Sequence, residues 1–184
     1  MMINDEKIYL RNFEVEDAPA LYKWGQDEHF HKLAAFNNFK NYDEALQAIK
    51  QYAKRKYSYA VCLKNNDKVI GLVELYERGL DERSGLSKTK EIGFLIDSAY
   101  EGQGLMKRAV KLILKYAFEK LDQLEIWAGV FEQNIRSQKL LESLGFHYVY
   151  EYDMGQISEI FSYKEKYYLL KKAEWLKIDE NTKS

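Results

Sequence analysis

The sequence predicts one mixed α/β domain of the α+β kind, a central sheet of about six to seven strands with flanking helices. Three observations carry this. Seven segments are strand-like, Ile8–Phe13 and Glu91–Asp97 with two distinct faces, and four carry apolar residues at helical spacing. Short polar turns join the middle strands, which argues for antiparallel pairing. One strand–helix–strand succession, around 105–120, argues for a parallel pair.

The bulk numbers set the frame. A chain of 184 residues with 46% hydrophobic and 31% charged residues is ordinary for a folded domain. Residues 1–175 are read as that single domain and 176–184 as a polar C-terminal tail. The formal net charge of −1 gives no overall attraction to a polyanion, so no nucleic-acid partner is expected. The single cysteine, Cys62, excludes an intrachain disulfide and suggests a reducing, cytoplasmic compartment. MMINDEKIYL is charged at once, so neither a leader nor a membrane partner is expected.

In order, Ile8–Phe13 alternates as a strand. Asp17 can cap a helix whose first turn tolerates Pro19, followed by Ala18, Leu21, Tyr22 and Gly25 at helical spacing. Asn41 and Glu44 have capping-box spacing ahead of an apolar stripe of Ala45, Ala48, Ile49 and Tyr52. Tyr57–Leu63 and Val69–Tyr76 form a hairpin around Asn65-Asn66-Asp67. Residues 77–88 read as a loop and Glu91–Asp97 as a strand. A helix over 105–120 buries Met106, Ala109, Val110, Ile113 and Ala117. Leu124–Phe131 is a strand, and Asn134–Leu144 a helix stopped by Gly145. Phe146–Tyr152 and Phe161–Leu170 are the last strands.

The chemistry lies where the strand ending at Asp97 meets the helix starting at Leu105. Helix N-terminal amides have no internal partner and, with the helix dipole, favour an anion such as a phosphate. Gly102 and Gly104 let a ligand approach the backbone. Lys107 and Arg108 occupy a first turn where a cation is unfavourable unless an anion is near. The same glycines would equally serve a tight turn, and the basic residues a solvated face. A Walker loop and a Rossmann fingerprint are both excluded, for lack of a lysine–hydroxyl pair and of a third glycine. In Asn134-Ile135-Arg136-Ser137, Asn134 suits a helix cap, while Ser137, Leu140, Leu141 and Leu144 share one face, read as buried.

Taken together, Glu91-Ile92-Gly93-Phe94-Leu95-Ile96, then Gly102-Gln103-Gly104-Leu105-Met106, then Asn134-x-x-Ser137, then Leu144-Gly145-Phe146 resemble the GNAT acetyltransferase superfamily. Leu10-Arg11 with Glu16-Asp17-Ala18 is similar to its branch of ribosomal-protein N-terminal acetyltransferases. The resemblance spans roughly residues 8 to 170. It departs at Glu101, where the family has Gln or Arg, at Met106, where it has Gly or Ala, and at Leu141, where a tyrosine is common.

The resemblance implies a GNAT-like fold, an N-acetyltransferase and acetyl-CoA as donor; no metal is expected, since no cysteine or carboxylate stands at ligand spacing from the histidines. Cofactor contacts fall to Phe94, Leu95 and Ile96 for the pantetheine, to Glu101, Gly102, Gln103, Gly104, Leu105, Met106 and Lys107 for the pyrophosphate, and to Asn134. A backbone N–H near Phe94 or Leu95 would polarise the thioester carbonyl. The amine would attack directly in a ternary complex. Glu91 is the candidate general base, acting through water with a pKa raised by burial, and Glu74 is the second candidate. Ser137 would hydrogen-bond the departing sulfur. The acceptor is an amine, either a protein N-terminus or a small molecule such as a polyamine or aminoglycoside. A non-catalytic acyl-CoA-binding sensor is the alternative.

Cys62 reads as a core residue. His29 and His31 have no ligand-spaced companions; they border the acceptor side or the surface. Trp24, Phe30, Phe36 and Phe39 either cover the acceptor or pack the first helices. The acidic residues Glu74, Glu77, Asp81 and Glu82 either attract a cationic amine or form a solvated loop. An open, tyrosine-rich C-terminal strand suggests a homodimer.

Overall fold

The computed structural model describes residues 3–34, 36–78, 86–153 and 163–183, with side chains to Ile178. Asp81, Glu82 and the start of the strand read from Phe161 lie outside them. The described residues hold eight strands and six α-helices, distributed over two compact units: Met1–Leu75 with Phe94–Ile113, and Tyr76–Gly93 with Leu114–Ser184.

In the first unit, β1 (Ile3–Asn4) and β2 (Ile8–Asn12) form a hairpin. Its turn is held by the Asp5 carboxylate, which accepts from the amides of Lys7 and Ile8 at 2.8 and 2.9 Å. β1 is additional to the seven expected strands, because two residues carry no alternation to read. β3 (Ser58–Leu63) lies antiparallel to β2, and β4 (Val69–Glu77) antiparallel to β3. Asp67 takes a left-handed φ of 57° in the turn between them.

α1 (Ala18–Gly25) carries Pro19 in its first turn as expected. Asp17 stands at the cap position, but its carboxylate makes no side-chain cap. It grips Arg11 at 2.6 and 2.8 Å and accepts from the Glu14 amide at 2.9 Å. α2 (Glu28–Ala34) was not expected; Asp27, whose carboxylate accepts from the His29 amide at 2.9 Å, is the signal that marks its start. α3 (Tyr42–Tyr52) is capped by Asn41, which accepts from the Glu44 amide at 3.0 Å. The Glu44 side chain reaches back to Lys40 rather than Asn41. Leu21, Trp24, Phe30, Phe39, Ile49, Leu72 and Leu95 share one buried core. The aromatic residues of the first helices are therefore packing residues, Trp24 at 0% exposure.

α4 (Leu105–Glu119) buries Met106, Ala109, Val110 and Ile113 here. Its later residues Leu114, Ala117 and Phe118 are buried in the second unit, where α4 is the crossover between parallel strands. β5 (Thr89–Ile96) pairs in parallel with β6 (Glu125–Phe131). β8 (Lys164–Lys171) runs antiparallel along β6, and β7 (His147–Asp153) antiparallel along β8, so the strand order in this unit is β5-β6-β8-β7.

α5 (Ile135–Glu142) ends before Gly145, whose φ is +94°. The residues read as domain end and polar tail instead form α6 (Lys172–Lys183). The Glu174 carboxylate accepts from the Lys171 amide at 2.9 Å, half of a capping box with a lysine in place of the usual serine or threonine. Trp175, 1% exposed, anchors α6 beside the Phe118 ring. A Cβ at Gly145 would meet Ile178 at 2.3 Å, so the glycine serves both the helix stop and the close approach of α6. No helix among the described residues is long and apolar enough to cross a membrane.

Candidate active site

In the first unit the site begins where β5 ends. The Asp97 carboxylate is buried and takes Lys23 at 2.6 Å, the Trp24 indole N–H at 3.1 Å and the Ala99 amide at 3.0 Å. Burial pushes its pKa up, yet these hydrogen bonds and the Lys23 charge outweigh burial and leave it below the usual aspartate value. Asp97 thus fixes the 3-10 turn Ser98–Tyr100 that feeds the glycine turn.

Gly102 and Gly104 both have φ of +73°, and a Cβ on either would meet nothing within 4 Å. The left-handed conformation, not crowding by protein, is what requires glycine there. The space beyond them is open. The first helical bond of α4 runs from the Arg108 amide to the Gly104 carbonyl, so the amides of Leu105, Met106 and Lys107 precede it. The turn therefore fits a phosphate-bearing ligand.

Met106 does not obstruct the amides. Its side chain is buried against Gly71, where a Cβ would lie 3.2 Å from the Met106 methyl and 2.4 Å from the Leu95 carbonyl. Gly71 is a residue that sequence reasoning missed: it lets β4 and β5 approach. Arg108 is committed elsewhere, to Asp5 at 3.0 Å and Glu6 at 2.5 Å, so it lends the anion argument no support. Lys107 is exposed. Glu101 lies 3.6 Å from His29, and His31 faces the carbonyls of Gly25 and Phe36. Leu95 is buried and Phe94 and Ile96 half-buried.

In the second unit, the parallel ladder of β5 on β6 runs from Thr89↔Glu125 to Glu91↔Trp127. Glu91 sits at the last paired position. Its carboxylate is 3.0 Å from the Arg78 guanidinium. Burial raises its pKa; Arg78 works against that rise, and the neighbouring Glu165 carboxylate adds to it.

Arg78 also lies over the Trp127 ring at 4.6 Å and the Tyr167 ring at 5.6 Å. Tyr167 donates its hydroxyl to Glu165 at 3.0 Å and stacks on Tyr150 at 4.9 Å. Burial, first, then the Glu165 and Glu91 charges raise the Tyr167 pKa, so the phenol stays protonated. Arg78, Trp127, Glu165 and Tyr167 were not singled out in the sequence. The available signal was the alternation of Trp127, Gly129 and Phe131 against the buried Ile126, Ala128 and Val130.

Asn134 caps α5, accepting from the Ser137 amide at 3.1 Å. The face of α5 differs from expectation: Gln138 and Leu141 are buried, whereas Ser137 and Leu140 are only half-buried. Gln138 turns inward because its amide group is satisfied there by the Phe131 and Glu132 carbonyls and by the Tyr168 hydroxyl.

The other candidates have structural roles. Glu74, the second candidate base, is 2% exposed and 2.8 Å from Arg55. Glu77 pairs with Lys90 at 2.5 Å. Each of these carboxylates is thus paired with a cation of its own unit. Cys62 is fully buried, its thiol pushed up to about 11 by burial. Among the described residues no group of three or more His, Cys, Asp or Glu is placed to hold a metal.

Residues 7–147 match the acetyltransferase (GNAT) domain family. The chain is 31% identical to a probable N-acetyltransferase, YjcK, of Bacillus subtilis, covering 79% of this chain and 83% of the relative. A GNAT-family acetyltransferase structure from Bacillus anthracis superposes with a TM-score of 0.82 at 21% identity, covering 95% of this chain and all of that one. A spermidine N-acetyltransferase structure from Vibrio cholerae, in complex with CoA and spermine, gives 0.76 at 18% identity over 94% and 99% of the two chains. The family takes its acetyl group from acetyl-CoA. The chain belongs to the GNAT acetyltransferase family and is an acyltransferase of the N-acetyltransferase kind.

Proposed function

We propose that this chain transfers the acetyl group of acetyl-CoA to a primary amine by direct attack, with Glu91 as general base. The observation that carries the reading is Glu91 itself: a carboxylate on β5, three residues ahead of Phe94, with a pKa raised by burial toward the range a base needs. Acetyl-CoA supplies an activated thioester. Backbone groups of Phe94, Leu95 and Ile96 orient its pantetheine, and the amides from Gly102 to Lys107 hold its phosphates, with Glu101 and Gln103 flanking them. An N–H at Phe94 or Leu95 stabilises the developing oxyanion.

Glu91 removes the amine proton, directly or through one water. Ser137 stands in the first turn of α5 to hydrogen-bond the leaving sulfur, with Asn134 fixing that turn. No covalent enzyme intermediate is needed, and buried Cys62 is unsuited to form one. The Vibrio cholerae structure supports the reading at the level of fold: this architecture holds a CoA and a cationic amine together.

The likeness to the ribosomal-protein branch rests on Leu10-Arg11 and Glu16-Asp17-Ala18, and these residues have local work. Arg11 and Asp17 are a two-pronged ion pair that ties β2 to the start of α1, and Leu10 and Ala18 are fully buried. They carry no information about the acceptor, so a protein N-terminus is the weaker of the two acceptor classes.

Mixing the protein with acetyl-CoA and a panel of small amines, and following release of the CoA thiol, tests the function. Amine-dependent thiol release is expected. Saturable acetyl-CoA binding without release for any amine would support the sensor alternative.

A homodimer through β7 belongs to the same reading. β7 ends the strand order, and it exposes Tyr148, Tyr150 and Tyr152 at 52%, 39% and 40%. Sedimentation at twice the chain mass is expected; sedimentation at one chain mass across micromolar concentrations would reject it. The cytoplasmic location inferred from the single cysteine stays part of the proposal.

A further inference from the structure

Among the described residues, basic side chains stake the segment that leads into the glycine turn, all within the first unit. Lys23 of α1 takes the Asp97 carboxylate at 2.6 Å. Lys68, in the turn between β3 and β4, lies 5.3 Å from the centre of the Tyr100 ring. His29 of α2 lies 3.6 Å from the Glu101 carboxylate. Histidine differs from the two lysines, because it is the side chain whose charge changes between pH 5 and 8. Glu101 directly precedes Gly102, so its carboxylate is a negative charge beside amides that suit a phosphate. That side chain is 22% exposed, so solvent screens its charge only in part. A neutral His29 leaves the charge standing, and a protonated His29 offsets it.

We propose that His29 is a positioning residue of the cofactor site, which through Glu101 makes the diphosphate of acetyl-CoA bind more tightly as pH falls. This rests on the proposed place of the phosphates at the Gly102–Lys107 amides. Coupling is reciprocal, so binding must in turn draw a proton onto His29. The surrounding charged groups are of other kinds. Asp27, Glu28 and Lys32 belong to its own helix and cap, Lys23 to α1, Asp97 to the end of β5 and Lys107 to α4. All are carboxylates or lysines, types that do not titrate between pH 5.5 and 8. His31 is the other histidine of α2, and its ring nitrogens face the carbonyls of Phe36 and Gly25 rather than Glu101.

The test reads binding, not transfer. The full chain is titrated calorimetrically with dephospho-CoA between pH 5.5 and 8. That probe keeps the diphosphate but lacks the 3′-phosphate monoester of CoA, whose own titration would mask the effect. Affinity is expected to rise about three- to fivefold from pH 8 to pH 5.5, the size of effect that one exposed charge pair gives. Between those limits, heats measured in two buffers of different ionisation enthalpy should show net proton uptake on binding. His29→Gln should bind at every pH with the wild-type affinity of pH 8. Glu101→Gln should bind at every pH with the wild-type affinity of pH 5.5 or better. A merely structural pair would instead weaken binding at every pH in both variants. That result, a pH dependence that survives either substitution, or a wild-type affinity that stays flat overturns the proposal while leaving the cofactor turn in place. No saturable binding by the wild type at any pH overturns the cofactor turn itself, and this proposal with it.

Discussion

Gly104→Glu is expected to eliminate saturable acetyl-CoA binding in a calorimetric titration while leaving a folded protein. Gly104 has φ of +73°, so any side chain brings strain of about 1–2 kcal/mol. A Cβ there meets no protein atom within 4 Å, so strain is the whole intramolecular penalty. The new carboxylate, however, enters the open space in front of the amides of Leu105, Met106 and Lys107. It competes for those donors and repels a phosphate, and like charges brought together cost several kcal/mol. Affinity should therefore fall on the order of 100-fold or more, since each ~1.4 kcal/mol is a factor of ten. Gly104→Ala separates the two causes, because it shares the strain and lacks the charge. It should melt like Gly104→Glu yet bind acetyl-CoA far better. Equal affinities in the two variants would mean that backbone strain, not an occupied anion site, explains the loss. Full binding by Gly104→Glu would place the phosphates elsewhere.

The features legible in the sequence are those whose cause is local. Gly102, Gly104 and Gly145 each stand where a helix starts or stops, and all three have positive φ. Asn41 and Asn134 precede helices and cap them. The parallel pairing of β5 with β6 follows from a helix between two strands. What escaped reading has distant causes or too little pattern. α6 starts at a lysine, and its anchor is the contact of Trp175 with Phe118. Arg108 reads as an anion-site residue only because its partners Asp5 and Glu6 are about a hundred positions away. The face around Glu91 gathers Arg78, just past β4, with Trp127 of β6, Tyr150 of β7 and Glu165 and Tyr167 of β8, so no single spacing rule reveals it. Even there the sequence carries a trace: Gly129 interrupts a strand, and a glycine within a strand marks a close approach.

Glu91→Gln should lower kcat by about 100- to 1000-fold, within the range that general-base catalysis supplies, while acetyl-CoA affinity stays near wild type. Glutamine preserves shape and the hydrogen bond acceptor toward Arg78 but cannot take a proton. The pH profile gives the sharper test, because the sign of each change is fixed. A base works deprotonated, so the acid limb of kcat/KM lies at the Glu91 pKa, which is raised above the ordinary glutamate value. Burial is the first cause, Arg78 opposes it, and Glu165 adds to it. Arg78→Ala removes the opposing cation and should move the limb to higher pH. Glu165→Gln removes the repelling charge and should move it to lower pH. The acceptor amine also titrates, but its pKa in free solution is the same for every variant, so displacement of the limb isolates the enzyme group. Opposite displacements in these two variants, together with loss of the limb in Glu91→Gln, would identify Glu91 as the base. A limb at one pH in all three, or a Glu91→Gln rate within a few-fold of wild type, would reassign the proton to solvent and leave Glu91 as the partner that holds Arg78 over Trp127.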